Sequence, residues 1–293
     1  MPELPEAETL ARGLRPLLPG SRIERTRVLH ADVLRQPERD FRDAVRHRTI
    51  TAVERRAKKI VLALDDGAVF LIVNLGMTGG LFPLGGTPEG GEGPERFARP
   101  PTHPAIRFHF EDRRALVYHD IRRFGSVEAL DPDAWAARSE AIGPEPLADD
   151  FTPDRLHAGL SRSRSPVRNW LLDQRRIAGV GNIYASEACF RARLHPARPA
   201  ASVTPTEAAR LHAGLREVLS DAIEHGGTTL RDYRNAEGRP GLFGSLLQVY
   251  GRDGEPCTAC GATLERSVFG ARSAFHCPSC QPRPPEARDR AGR

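Results

Sequence analysis

Lysine is nearly missing from this chain. Of its 43 basic residues 41 are arginine, and the only two lysines, Lys58 and Lys59, are neighbours. A bias towards arginine accounts for the 41 but not for an adjacent pair that escaped it. A compact ammonium can change protonation state where a guanidinium cannot, which makes the pair a candidate for chemistry; chance survival is the alternative. Long apolar runs are missing as well. No stretch approaches the ~20 residues of a membrane-spanning helix, and the acidic N-terminus has no apolar segment of the kind found in secretory signals. The expectation is a soluble, cytoplasmic chain with no membrane partner. Cysteine is scarce: there are five, four of them from Cys257 to Cys280. That crowding suits metal binding in a reducing compartment better than a disulfide framework. No internal repeat is visible.

What is present argues for two domains and an anionic partner. A chain of 293 residues is long enough for two cores. Its 43 Lys+Arg against 38 Asp+Glu give +5 and a pI near 9.2, which hints at a polyanion. Residues 5–18 read as an amphipathic helix with Leu10, Leu14, Leu17 and Leu18 on one face and acids in the first turn. Strand signals follow. Ile60, Leu62 and Leu64 alternate before an Asp65-Asp66-Gly67 turn, Val69 to Val73 returns, and Ile106, Phe108 and Phe110 alternate before a turn at Glu111-Asp112. The first ~130 residues are therefore mostly β, interrupted at 83–104 by a Gly/Pro-rich loop expected to be mobile. Residues 131–153 lack a period and read as a hinge. Beyond them the pattern is helical: Pro166 precedes Trp170, Leu171 and Leu172. Thr204-Pro205-Thr206-Glu207 forms a capping box for a helix carrying Leu211, Leu215, Val218, Leu219 and Ala222 and ending at Gly226-Gly227. Residues 282–293 read as a disordered tail.

The four crowded cysteines have a specific spacing. Cys257-x2-Cys260 and Cys277-x2-Cys280 give two thiolate pairs, which suits one tetrahedral zinc ion held by two tight turns joined by a β-hairpin. Four protein ligands close the coordination sphere, so the ion would hold structure rather than activate water. A redox pair or disulfides are the alternative. The hairpin would present Arg272 near its tip. Cys189 lies outside this set and suits a small buried hydrophobe.

Two segments suit phosphate. Gly179-Val180-Gly181-Asn182-Ile183-Tyr184 is a glycine turn feeding a helix, so the positive helix end can face an anion; such turns also serve only as connections. Asp120-Ile121-Arg122-Arg123-Phe124-Gly125 sets two arginines before an aromatic, which otherwise reads as a solvated turn with one core Phe. Together with Met77, in Asn74-Leu75-Gly76-Met77-Thr78-Gly79, it offers apolar wedges and a cation of the kind used to unstack duplex DNA.

The first eight residues, Met1-Pro2-Glu3-Leu4-Pro5-Glu6-Ala7-Glu8, place a secondary amine beside a carboxylate if Met1 is removed. An α-amine titrates near pH ~8, well below a lysine side chain. The proline nitrogen would give an iminium ion that cannot lose a proton to become neutral, so it stays an electron sink. Met-Pro is also an ordinary way for a chain to begin.

Taken in order, these segments resemble the formamidopyrimidine-DNA glycosylase family from Pro2 to Gln281. The resemblance is carried by PELPEAE at 2–8, RRAKK at 55–59, NLGMTG at 74–79, DIRRFG at 120–125, GPEPL at 143–147, GVGNIYASE at 179–187, GGTTLRDY at 226–233, QVYGRDGEPC at 248–257 and the four cysteines. It implies an α+β fold in two lobes. An N-terminal β-sandwich with flanking helices would occupy 1–130 and a hinge 131–153. A helix-two-turn-helix domain would follow at 154–235 and a β-hairpin zinc finger at 236–281, with DNA between the lobes.

The implied activity is excision of oxidised purines such as 8-oxoguanine and formamidopyrimidines from duplex DNA, followed by strand cleavage at the abasic site through β,δ-elimination. By position, Pro2 resembles the nucleophile, Glu3 the acid/base at the sugar ring oxygen, Glu6 a supporting acid, and Lys58 the lysine that contacts the backbone and assists base departure. Met77, Arg122 and Phe124 match residues that enter the base stack, Arg122 facing the opposite cytosine. Asn182, Tyr184 and Arg272 match phosphate contacts, as do Arg168, standing where the family often has lysine, and His103, within the long glycine-rich 83–104 loop. Residues 228–244 correspond to a loop that closes over the flipped base. The implied cofactor is one structural zinc ion, and the implied partner damaged double-stranded DNA met by a monomer. The alternatives are an endonuclease VIII-type enzyme for oxidised pyrimidines and a non-catalytic zinc-ribbon DNA-binding protein.

Overall fold

The computed structural model describes residues 2–85, 101–230, 233–269 and 272–283. Most of the 83–104 loop, most of the expected tail and Met1 therefore lie outside the described residues. The chain divides into two compact units, one of Met1–Gly143 with Ser220–Leu246, the other of Pro144–Leu219 with Leu247–Arg293.

The first unit begins with α1 (Leu4–Leu14). Leu4, Ala7, Leu10, Ala11 and Leu14 are all buried, at about 2 kcal/mol for each leucine fully withdrawn from water. The expected helix ran to Leu18. It stops at Leu14, with Arg15 still helical as its cap, because Pro16 has no amide hydrogen to carry the ladder on. Leu17 and Leu18 still turn inward through hydrogen bonds to the Leu14 carbonyl, which is why their leucine pattern read as helix.

Two antiparallel four-stranded sheets follow, built from β1 (Ile23–Val28), β2 (Ile50–Arg56), β3 (Lys59–Leu64), β4 (Val69–Asn74), β5 (Gly79–Leu84), β6 (Pro104–Phe110), β7 (Ala115–Asp120) and β8 (Ser126–Leu130). Their orders are β1-β6-β7-β5 and β2-β3-β4-β8. Alternation sends Ile60, Leu62 and Leu64 from one sheet and Ile106, Phe108 and Phe110 from the other into one core, shared with α1 and with Phe41 and Val45 of α2 (Glu38–Val45). The alternating runs seen in the sequence are thus strands with one face on a common core. A short helix, α3 (Pro132–Glu140), occupies part of the stretch expected to lack a period. Asp131 caps it by accepting from the Ala134 N–H at 2.8 Å. No residue of α3 is buried, so it leaves no apolar period to read.

The second unit holds α4 (Pro153–Ser161), α5 (Val167–Leu172), α6 (Asn182–Arg191) and most of α7 (Pro205–Glu224). Thr204 and Glu207 exchange the expected capping bonds, at 2.9 and 3.3 Å. The helix stops where Gly226 and Gly227 take φ of +74° and +84°. The hairpin of β9 (Glu265–Phe269) and β10 (Arg272–His276) completes the unit. A small core lies beneath it, formed by Phe190, Val249, Cys257, Leu264, Phe275 and Cys277. So little apolar material suits a subdomain that depends on a bound metal.

Candidate active site and nucleic-acid interface

Pro2 and Glu3 are buried at the start of α1. Glu6 turns back, and its Oε2 accepts the Glu3 N–H at 2.7 Å. Its other oxygen accepts the Thr228 N–H at 2.7 Å, while the Tyr233 hydroxyl donates to the Glu6 carbonyl at 3.2 Å. Glu6 thus joins the first helical turn to both ends of the 228–233 segment. Residues 231 and 232 of that segment are outside the described residues.

Two residues beyond Glu6, Glu8 accepts from Arg12, Arg15 and Arg55 at 2.9, 3.1 and 2.9 Å. Burial alone would raise its pKa, but the three guanidiniums prevail and hold it below the ordinary value. Arg55 also donates to the Ala57 carbonyl at 3.0 Å. It therefore ties α1 to the β2–β3 turn, where Ala57 takes φ of +53° and Lys58 follows. Its neighbour Arg56 closes the end of α3 by donating to the carbonyls of Ser139, Ile142 and Gly143 at 3.1, 2.7 and 2.9 Å. Burial lowers the pKa of Lys59, against the pull of Glu128.

Met77, Arg122 and Phe124 lie on the β4–β5 and β7–β8 loops. Met77 is 38 % and Phe124 57 % exposed, unusual for apolar side chains of their size. The Arg122 guanidinium lies 4.5 Å from the centroid of the Phe124 ring. Asp120, only 1 % exposed, organises both loops. It accepts from the Thr78 hydroxyl (2.5 Å), the Gly125 N–H (2.8 Å), the Tyr118 hydroxyl (3.2 Å) and the Arg122 N–H (3.3 Å). Gly76, with φ of +59°, lets the loops touch backbone to backbone: a Cβ there would fall 2.6 Å from the Phe124 carbonyl carbon and 2.7 Å from Gly125 Cα. His103 is exposed next to them. Its N–H donates to His119 Nδ1 at 3.1 Å, and its own Nδ1 lies 2.8 Å from the Thr102 hydroxyl.

In the second unit, Asn182 opens α6 behind Gly181. Its amide donates to the Ser273 carbonyl at 3.0 Å, next to exposed Arg272 at the first position of β10. Arg168, which by resemblance stands among the DNA contacts, faces inward. It is 1 % exposed and donates to the Asn182 side-chain oxygen, to the Ser273 carbonyl at 2.9 Å and to Asn169 Oδ1 at 3.1 Å. Its guanidinium is an internal strut between α5, α6 and the hairpin. The Tyr184 side chain is likewise wholly buried.

Two further residues escaped the sequence reading. Glu187 accepts the N–H groups of Gln248, Val249 and Tyr250 at 2.9, 2.9 and 2.8 Å. Gln281 donates to the Leu194 carbonyl at 2.7 Å and accepts from the Cys277 N–H at 2.9 Å. Only their positions, at the end of GVGNIYASE and one residue past the last cysteine, could have singled them out.

The sulfurs of Cys257, Cys260, Cys277 and Cys280 all lie within 4.8 Å of one another. Four thiolates ~2.3 Å from one tetrahedral zinc stand about 3.8 Å apart, so this donor set and spacing fit one structural ion. Cys189 is fully buried and apart, and its thiol is pushed up to about 12 by burial.

Family profiles cover this architecture in order. The formamidopyrimidine-DNA glycosylase N-terminal domain matches residues 1–127, the formamidopyrimidine-DNA glycosylase H2TH domain 142–234, and the zinc finger found in FPG and IleRS 254–283. The formamidopyrimidine-DNA glycosylase of Chloroflexus aurantiacus is 42 % identical over 286 residues, covering 96 % of this chain and 98 % of that one. The chain belongs to the formamidopyrimidine-DNA glycosylase family. The Streptococcus pneumoniae family member is 39 % identical over 285 residues, covering 97 % of this chain and all of that one. Among solved structures, the MutM (Fpg) protein of Thermus thermophilus matches with a TM-score of 0.83 and 41 % identity, covering 97 % of this chain and 100 % of that one. Lactococcus lactis Fpg in complex with DNA containing an abasic site matches at 0.84 and 29 %, covering 96 % and 100 %. Family membership agrees with the α+β fold expected from the sequence and with one zinc ion on the four cysteines. Among the described residues no helix is long and apolar enough to cross a membrane.

Proposed function

We propose that this enzyme is a bifunctional DNA glycosylase and abasic-site lyase of base excision repair, acting on oxidised purines in duplex DNA. The observation that carries the reading is the join made by Arg55. It holds the helix that begins at Pro2 and Glu3 to the turn that presents Lys58, one of only two lysines in the chain. With Met1 removed, the Pro2 nitrogen attacks C1′ of the damaged nucleotide, forming an N–C1′ bond as the glycosidic bond breaks and its electrons leave with the base. Glu3 supplies a proton to the ring oxygen as the sugar opens, Glu6 supports the site as a second acid, and Lys58 contacts the backbone and assists base departure. The resulting iminium acidifies C2′. Loss of that proton expels the 3′ phosphate, and a second elimination expels the 5′ phosphate. The iminium is then hydrolysed and the amine returns.

Met77, Arg122 and Phe124 fill the space left by an extruded nucleotide, which offsets a few kcal/mol of lost stacking. Asn182, Arg272, His103 and the N-terminal end of α6 meet phosphates, with Arg168 bracing them from behind and Tyr184 contributing through its place in α6. The 228–244 segment covers the flipped base. The domain limits and hinge read from the sequence, action as a monomer and a cytoplasmic location belong to the same proposal. Solved relatives from Lactococcus lactis in complex with abasic-site and Fapy-dG DNA support the substrate class.

Borohydride added with an abasic duplex tests the reading. We expect a covalent adduct, lost in Pro2→Gly with zinc content unchanged; no adduct in the wild type would point to a non-catalytic DNA-binding protein. Faster release of thymine glycol than of 8-oxoguanine would move the enzyme to the endonuclease VIII class.

A further inference from the structure

The edge of the first unit's β1-β6-β7-β5 sheet carries cations that its own stability does not favour. Strand register sets Arg27 opposite Arg107 and Arg25 opposite His109. Like charges directly opposite on adjacent strands repel, and none of Arg25, Arg27 and Arg107 has an ion-pair partner among the described residues. The Nε of Arg107 is buried with no hydrogen-bond partner. His109 registers the crowding. Its pKa is held below the ordinary imidazole value first by burial and then by Arg25, Arg107 and Arg27, with Glu24 opposing. The positive surface continues past β1 into a groove of about 520 Å³ against α2, lined by Arg25 and Arg46. The other two arginines lining that groove are neutralised locally, Arg42 by Glu38 at 2.6 Å and Arg39 by Asp43 at 3.8 Å.

Charged edge strands also deter strand-to-strand aggregation, which would account for Arg25 and Arg27. It does not account for Arg107 and His109, which lie one strand in from the edge, on β6. Nor does the patch belong to the base-stack loops. His109 and Arg107 pair with Ala115 and Val117 of β7, roughly 17 and 10 Å back along the strand from Asp120.

We propose that this Arg/His face is a second, sequence-independent contact for the phosphate backbone of duplex DNA, separate from the lesion site. Arginine suits it, because a planar fork meets phosphate oxygens two at a time. The inference rests on the DNA-binding reading above, and the experiment separates the two.

Binding of a long undamaged duplex is measured against salt for the wild type and for Arg27→Gln/Arg107→Gln. Each lost phosphate contact makes the slope of log K against log salt shallower by about 0.9, so the double variant's slope is expected to fall by roughly 1.8. Its melting temperature is expected to be equal or higher, since repulsion has been removed. Single-turnover excision of a lesion from a short duplex at saturating enzyme is expected to be unchanged. A wild-type slope in the variant overturns the proposal. If the variant also aggregates, edge protection is the role of the patch; if instead the wild type binds a polyglutamate peptide through these arginines, the partner is an acidic protein. Failure of the wild type to bind DNA at all would overturn both readings together.

Discussion

Replacing Asp120 tests whether the loops of Met77 and of Arg122 and Phe124, proposed to enter the base stack, work as one organised unit. Asp120→Ala removes an acceptor shared by three donors on the two loops and by the Tyr118 hydroxyl on β7. The Tyr118 hydroxyl has a fallback at the Asn74 carbonyl, 3.5 Å away, and the Arg122 N–H also donates to the Thr78 hydroxyl oxygen at 3.0 Å. The Thr78 hydroxyl and the Gly125 N–H have no second acceptor of this kind among the described residues. Each buried donor left without a partner costs ~1–3 kcal/mol, so with two such donors urea unfolding should show a loss of about 2 to 6 kcal/mol. Asp120→Asn keeps the shape but turns one acceptor oxygen into a donor, and should lose about half as much. The functional readout separates organisation from stability. Excision from duplex DNA requires the stack to be opened, and a loss of only 1.4 kcal/mol in the transition state is tenfold in rate. Cleavage of an abasic site in single-stranded DNA needs no wedge. At a temperature where both variants remain folded, duplex excision should fall at least tenfold in Asp120→Ala while single-strand cleavage stays near wild type. Equal losses on both substrates, or none on either, would refute the assignment of Asp120 to the loops.

The Glu8 cluster predicts a pH dependence of stability. Because the Glu8 pKa is lowered in the fold from 4.5, its stabilisation is fully present above about pH 4.5 and is lost as pH falls through the lower folded value. Glu8→Gln should therefore be less stable than wild type by about 2 kcal/mol at pH 7, with the gap closing in acid; a gap of equal size at both pH values would exclude this linkage. For the metal site, Cys277→Ser should lower bound zinc and weaken lesion-DNA binding, because Cys277 directly follows β10, the strand that begins at Arg272, so that a bound ion would anchor it. Normal affinity with depleted zinc would show that the hairpin holds Arg272 without the ion.

The parts of this molecule that could be read from its sequence are those whose physics is local. Two CxxC turns, a Thr204–Glu207 capping box, a Gly-Gly stop and alternating strands each lie within a few residues. The resemblance then supplied an order for them. The polar residues that fasten the candidate site were invisible because each meets a partner from far along the chain. Glu8 and Arg55 are 47 residues apart, Thr78 and Asp120 42, and Arg168 and the Ser273 carbonyl 105. By composition such residues belong on the surface, and only a partner brought by the fold makes their burial affordable. Arg168 shows the consequence most clearly. Seen as a replacement for lysine it suggests an outward charge with altered reach. Its planar fork instead bonds Asn169, Asn182 and the Ser273 carbonyl from a buried position. A single ammonium on a flexible stem cannot spread rigid donors over three such acceptors. At this position the arginine therefore supports Asn182 and β10 from within the fold.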